Sequence, residues 1–595
     1  MNNSKQADSI QIGINRLSSF LINPHRILGV LLLIPVGFLI IAPAIEIIQT
    51  SLRKDGGISL YYWLRVLSGE MSRFLFYKPL INTLLLSFGM TALSLIIGGT
   101  LAWLVVRTDL PMRRVIEKFG IIPYVIPSWV ISLAWITMFR NSMHFGGYQG
   151  LLEFFLKIRT PLWISYGLFP IIVTLSMHYF PYTYILASSA LRSVDSHLEE
   201  TGEMLGAGRL RILRKITFPL ILPAMLSSVI LTFSKGLGTF GTPAFLGPPV
   251  RFQVLSTVIY SMINTGSFGE AYTLAIISTA IGALTVYMNV KVISARRSFT
   301  TLSGKGVRVT PYRLGHWKWP LLVIVLLFIF AVAVLPIVVL LWQSLMLYPG
   351  DFSLSNLTLH FWIGRYKPGL GDAGEPGVLL NQSILRSSFN SLRLSFMTGI
   401  FAALVGFLIG YIVVKAKGTF LSKLLDQFSF LPYLMPALPF AATYLVLFAH
   451  PIGPIPALYG TMGLLILISV VKRLPYSSRT GISSMIQIGK ELEESAIVLG
   501  AGWWRRFRKI IFPLGKSGFI AGFLLTFITM MRELSLIILL VTPRTEVLTT
   551  LIYRYAEEGI PQFTNALAMV IVFLTVAIYF IVQSRQNIDL FGGSE

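Results

Sequence analysis

The chain has 595 residues, of which 54% are hydrophobic and only 12% charged, about half the charged share of an ordinary soluble domain; charge-free runs recur along its length and exclude a soluble protein with a single anchor. Cysteine is absent, which excludes a disulfide framework, a thiolate metal site and a cysteine nucleophile. The net charge of +24 would suit nucleic acid, but Lys and Arg sit mostly in short loops between apolar spans, so no nucleic-acid partner is expected and lipid is the surrounding medium.

Residues 1–26 are polar and lead into a full-length span without a small-residue cleavage site, so they read as a cytoplasmic N-terminal segment rather than a signal peptide. A helix needs about 20 apolar residues to cross a bilayer. Runs nearly free of charge fall at 27–50, 80–106, 119–139, 162–190, 217–246 and 271–291. A second series falls at 319–345, 388–414, 427–449, 457–478, 517–541 and 565–584. This predicts an all-α polytopic membrane protein of twelve transmembrane helices. A first six-helix half covers 27–293, a basic linker 294–318, a second half 319–584, and a tail 585–595. Within 427–478, Pro451, Gly453, Pro454 and Pro456 predict a tight hairpin dividing two helices.

Basic residues precede the first helix (Lys5, Arg16, Arg26) and follow the second (Arg107, Arg113, Arg114, Lys118) and the fourth (Arg192, Arg209, Arg211, Arg214, Lys215). The linker adds Arg296, Arg297, Lys305, Arg308, Arg313 and Lys318 without one acid. Counting helices puts all of these on one side, which the positive-inside rule makes cytoplasmic, with both termini.

The two halves repeat each other. Glu200-Thr-Gly-Glu-Met-Leu-Gly206-Ala-Gly208, running on to Lys215-Ile216-Thr-Phe-Pro219, is matched 294 positions later. There the chain reads Glu494-Ser-Ala-Ile-Val-Leu-Gly500-Ala-Gly502, running on to Lys509-Ile510-Ile-Phe-Pro513. Phe119-Gly-Ile-Ile-Pro-Tyr124-Val-Ile-Pro127 matches Phe428-Ser-Phe-Leu-Pro-Tyr433-Leu-Met-Pro436, and Asn82 matches Asn390. Each half holds an even number of helices, so the repeat is parallel. Each polar island predicts a short helix, a sharp Gly-Ala-Gly turn, and a second basic helix ending where Pro219 or Pro513 starts the next span.

These islands resemble the signature loop of ABC importer permeases: Glu-Ala-Ala, three residues, Gly, nine residues, Ile-x-Leu-Pro. Thr201-Gly202 replaces Ala-Ala in the first copy, and Phe218 and Phe512 replace Leu. Gly202 within a helix costs up to about 1 kcal/mol, so the first elbow is expected to be the looser. The resemblance implies the type I importer permease fold and a non-catalytic subunit of a bacterial inner membrane. It implies two copies of an ATPase subunit, which carry the ATP and Mg, an extracytoplasmic substrate-binding protein, and no cofactor on this chain. Carried over by position, the coupling residues are Glu200, Gly206, Gly208 and Pro219, with Glu494, Gly500, Gly502 and Pro513.

Within that family the fused two-times-six layout and the run Met531–Pro543 resemble the iron(III) and thiamine branch, implying ferric iron as the substrate. Phosphonate, sugar phosphate, thiamine, polyamine and sulfate importers share much of the pattern. A secondary transporter, the rival class, would need coupling-ion ligands at mid-membrane, where acids are few. Lys235 and the pair Arg532-Glu533 interrupt the fifth span of each half. They read either as lining the translocation path or as interfacial charges. The seven histidines show no metal-ligand spacing, so no metal site is expected. Tyr182 and Tyr476 are read as helix-packing aromatics, and Gly515-Lys516-Ser517 lacks the first glycine of a phosphate-binding loop.

Overall fold

The computed structural model describes residues 24–143, 147–295 and 311–585. In hydrocarbon every backbone N–H and C=O needs an internal partner, so the apolar runs become helices. Among the described residues nine helices are long and apolar enough to span a membrane: Pro24–Ser51, Arg73–Arg107, Leu162–Ser193, Leu213–Leu237, Phe268–Thr285, Gly315–Ser344, Gln382–Lys415, Trp503–Met531 and Pro561–Phe580. Two bent pairs raise this to eleven. The remaining expected span is the helix Met462–Ile486, which has the length but carries Lys472, Arg473 and Arg479. The fold is all-α and polytopic; strand pairing among the described residues amounts to a two-residue ladder at Arg53–Lys54 and Gly57–Ile58 and three isolated bridges. One of those bridges is the expected hairpin, where Ile452 and Ile455 exchange backbone hydrogen bonds of 2.9 and 3.0 Å around Gly453 at φ +56°.

Four expected spans differ in detail: the run 217–246 is helical only to Leu237, with a separate short helix Gly241–Leu246 beyond it. The run 119–139 bends by 91° between Val125 and Ser128, and 427–449 bends by 107° between Tyr433 and Ala437. Pro127 and Pro436 sit in the two bends, where a missing N–H and a restricted preceding residue end the first helix. The run 517–541 is helical only to Met531, so Arg532 and Glu533 lie just beyond a helix end rather than inside one.

Proline also explains a repeated irregularity. Wide π-turns occur at Arg73–Tyr77, Leu213–Thr217, Phe330–Val334 and Phe507–Ile511. Each is followed two residues on by a proline: Pro79, Pro219, Pro336 and Pro513. The ring cannot close the ordinary hydrogen bond and would strike the carbonyl four residues back, so the helix widens locally instead of stopping. Pro219 and Pro513 therefore do not end the short basic helices; each leaves a π-turn in a helix that runs on into the span.

The described residues fall into two compact units. One lies within Met1–Gln49, Leu392–Met435 and Phe440–Met531; the other lies within Thr50–Ser391, Pro436–Pro439 and Arg532–Glu595. The units cut across the sequence repeat, each taking helices from both halves. In each unit the second and fourth helices of a repeat cross at a glycine. A Cβ on Gly98 would lie 2.5 Å from the Phe180 carbonyl oxygen, and one on Gly406 would lie 2.4 Å from the Ser477 carbonyl carbon. Small residues at such crossings let backbones approach where no hydrophobic effect drives association.

Candidate functional site

Each signature island folds as an elbow. In the first, helix Ser196–Met204 is capped by the Asp195 carboxylate, which accepts the His197 N–H at 3.1 Å. It ends with Gly206 at φ +80°; the Gly206 N–H bonds Glu203 O at 2.9 Å and the Ala207 N–H bonds Gly202 O at 3.0 Å. The second elbow repeats this. Helix Lys490–Val498 ends with Gly500 at φ +74°, and the N–H groups of Gly500 and Ala501 bond Ile497 O and Ala496 O, both at 2.9 Å. Both are Schellman endings, which place the C′ residue in the left-handed region that glycine enters without a Cβ penalty. Gly208 and Gly502 instead open the following helices, and a Cβ on either would meet nothing within 4 Å. Gly202 packs on the next helix, where a Cβ would come within 3.1 Å of the Ile216 Cδ1.

The turn presents an apolar tip to solvent. Met204 and Leu205 are 88% and 83% exposed, and their counterparts Val498 and Leu499 are both 86% exposed. Glu494 is exposed and Glu200 half-exposed, with a Glu200 carboxylate oxygen 3.6 Å from the His197 ring.

The neighbouring glutamates do the opposite. Glu199 is buried, 3.5 Å from the Arg107 guanidinium, and accepts the Thr217 hydroxyl at 2.5 Å. Arg107 also donates to Val194 O at 2.9 Å. In the other elbow Glu493 is buried 3.3 Å from Lys415 Nζ and 3.7 Å from Arg506 Nε. It accepts the Tyr411 hydroxyl at 3.2 Å, and that hydroxyl accepts the Trp503 indole N–H at 3.0 Å. Each elbow is thus bolted to the base of its repeat's second helix by a buried cation–carboxylate pair. Sequence reasoning missed these residues, although Arg107 and Lys415 are separated by the same 308 positions as Asn82 and Asn390.

The expected path residues sit at helix breaks. Arg532 donates to the Tyr124 carbonyl and, at 3.4 Å, to Val125 O. These carbonyls end the helix Ile122–Val125 at its bend. The guanidinium lies 4.4 Å from the centre of the Tyr124 ring, and the Tyr124 hydroxyl bonds the Tyr182 hydroxyl at 2.7 Å. Glu533 accepts the Leu536 N–H at 3.1 Å, closing the turn that follows. Lys235 is half-buried in the last turn of Phe218–Leu237. In the second repeat Lys472 donates to Pro432 O at 2.7 Å and to Met435 O, while Tyr433 meets Tyr476 edge-on at 6.2 Å between ring centres. In both repeats a cation satisfies carbonyls that a break leaves without helical partners, beside a tyrosine pair.

A cavity of about 630 Å³ within the second unit is lined by Thr137, Arg140, Tyr148, Gln343, Tyr553 and Asn565, among others. Gln343 Oε1 accepts from Asn565 Nδ2 at 2.6 Å and from the Thr137 hydroxyl. Among the described residues no group of three or more His, Asp or Glu is placed to hold a metal ion.

Long stretches of the chain are similar to known transport proteins. A ferric transport system permease protein of Actinobacillus pleuropneumoniae is 26% identical over 84% of this chain and 70% of its own length. A putative ferric transport system permease protein of Haemophilus influenzae is 27% identical over 79% of this chain and 71% of its own length. The molybdenum transport system permease protein of Escherichia coli is 30% identical over 33% of this chain and 84% of its own length. A solved bacterial ABC transporter that imports alginate aligns with 47% of this chain and 99% of its own, at 19% identity and a TM-score of 0.39. The sequence pattern of one family matches twice, over residues 90–299 and 397–588, so that each elbow falls inside its own copy. The chain belongs to the family of binding-protein-dependent transport system inner membrane components.

Proposed function

We propose that this chain is the whole membrane-spanning passage of an ATP-driven importer of ferric iron, coupled through its two elbows to two ATPase subunits. The observation that carries the substrate is the pair of relatives named for ferric transport, each aligned over about four fifths of the chain. The coupling reading is supported by the repeated elbow. Its apolar tips at Met204-Leu205 and Val498-Leu499 are exposed, Glu200 and Glu494 stand beside them, and a polar helical surface ending in bare apolar side chains suits a protein cleft more than water. Glu200 and Glu494 would pair with basic groups of the ATPase, and the π-turned helices would carry elbow displacement into the spans. The Lys/Arg distribution supports placing the elbows, the linker and both termini in the cytoplasm. The extracytoplasmic binding protein delivers and selects the ion; the chain itself provides a hydrated route and holds no resident cofactor.

The test is reconstitution in proteoliposomes with the ATPase and the iron-loaded binding protein. ATP-dependent entry of ferric iron, with two ATPase subunits per permease chain, is expected. Transport of a sulfate, phosphonate or polyamine instead of iron overturns the substrate, and a single ATPase per chain overturns the coupling. Singly introduced cysteines report orientation, since the native chain has none. Ser355→Cys is expected to react with an impermeant reagent in intact cells and Ser303→Cys, outside the described residues, to be protected.

A further inference from the structure

The linker between the two repeats ends in a segment, Tyr312–Lys318, that is bonded to the base of the first repeat's second span. The Tyr312 N–H donates to Arg107 O at 2.8 Å, and the Asp109 N–H donates to Tyr312 O at 2.9 Å. They form a parallel bridge at Thr108. The Asp109 carboxylate then accepts the Leu314 N–H at 2.8 Å and pairs with Lys318 Nζ at 3.4 Å. That backbone bond holds the Asp109 carboxyl below the usual carboxylate range, so it is charged at neutral pH. The Tyr312 ring lies over Trp103, 6.4 Å between centres, with its hydroxyl 3.5 Å from Glu203 of the elbow.

Arg107 is the junction. Its carbonyl receives the linker, while its guanidinium, buried, holds Glu199 of the elbow and Val194 O. Lys318, at the other end of the segment, opens the first helix of the second repeat. One short run of chain therefore joins the base of a second-half span to the bolt of the first-half elbow. In the second repeat the positions equivalent to Arg107, Thr108 and Asp109 are Lys415, Ala416 and Lys417. A lysine cannot accept the hydrogen bond or the ion pair that Asp109 does.

We infer that Tyr312–Lys318 is a strap that positions the first elbow, so that this elbow moves together with the first span of the second repeat. The strap stays closed through the transport cycle, and its residues act through Arg107 rather than on substrate. This rests on the proposed coupling to ATPase subunits.

The test uses the complete importer in proteoliposomes, reading substrate entry and binding-protein-stimulated ATP hydrolysis side by side. Asp109→Ala is expected to lower stimulated hydrolysis and transport per ATP by roughly fivefold or more, the low end of a typical coupling free energy. Lys417→Ala, the mirror position, is expected to leave both unchanged. Leu314→Pro provides a second probe should Asp109→Ala fail to fold. It removes the N–H that Asp109 accepts, at a residue whose own φ of −79° is near proline's value; it should reproduce the loss. Cleavage of the assembled complex at a protease site inserted after Gly304, upstream of the strap, should leave coupling intact, because the strap is held by its bonds rather than by chain continuity. Wild-type coupling in both Asp109→Ala and Leu314→Pro, or equal damage from Lys417→Ala, overturns the strap. A wild-type importer that couples normally but carries no iron overturns the ferric reading and leaves the strap standing. Absence of any ATPase association overturns the coupling reading itself.

Discussion

Within one elbow, two glycines two residues apart have different physical reasons. Gly500 lies at φ +74°, where an L side chain costs about 1–2 kcal/mol; Gly502 lies at φ −63° with open space around it. Gly500→Ala should therefore lower stability by that amount and impair transport, while Gly502→Ala should be silent in thermal unfolding and uptake. The adjacent glutamates separate in the same way. Glu493→Ala leaves Lys415 buried without its carboxylate and should cost about 3–5 kcal/mol, seen as a large fall in detergent melting temperature. Glu494→Lys, at an exposed position, should leave the melting temperature unchanged and abolish ATPase-coupled uptake. Both pairs look alike as letters. The resemblance to a signature loop pointed to Glu494 and Gly500 but gave no means of telling the inward glutamate from the outward one, because burial depends on where helix Gln382–Lys415 ends.

Along single elements, apolar length was readable and direction was not. A run such as 119–139 has the composition of one span whether straight or bent, and only Pro127, repeated as Pro436, marked the bend. The cation that completes that bend comes from position 532, so neither local pattern nor propensity could assign it. If Arg532 serves the break, Arg532→Ala should take its donor from the Tyr124 and Val125 carbonyls and cost about 1–3 kcal/mol in stability; a residue lining the path alone would alter uptake with no change in melting temperature. The π-turns lead to an opposite pairing of effects. Pro513→Ala restores a helical N–H and allows the π-turn to tighten into an α-turn, shifting the register by about one residue, or roughly 100° of rotation. Stability should rise while uptake falls, because the elbow would then face a different direction.

For the molecule as a whole, the duplication was plain in sequence but the packing units were not. The units exchange helices between repeats, as where the Tyr444 hydroxyl donates to Leu39 O at 2.6 Å and helix Leu335–Ser344 packs against both Ser128–Phe139 and Pro561–Arg585. Repetition of sequence reveals ancestry and parallel topology, whereas which copy of a helix fills which groove is decided by side chains hundreds of positions apart. Expressed separately, residues 1–300 and 301–595 should each be unable to complete a unit and should aggregate in detergent. Co-expressed, they should copurify as one species by size exclusion.

The exchange also sets an order of events during synthesis. Leu39 and Tyr444 are 405 positions apart, which at ribosomal speeds of about 5–20 residues per second separates their emergence by roughly 20–80 s. Throughout that interval the helix Pro24–Ser51 has to reside in lipid without its eventual neighbours. Its strongly apolar composition makes that wait tolerable. A polar substitution on its packing face, harmless in the finished protein, would act earlier, by letting the first helix slip out of the bilayer before the residues that hold it have been made.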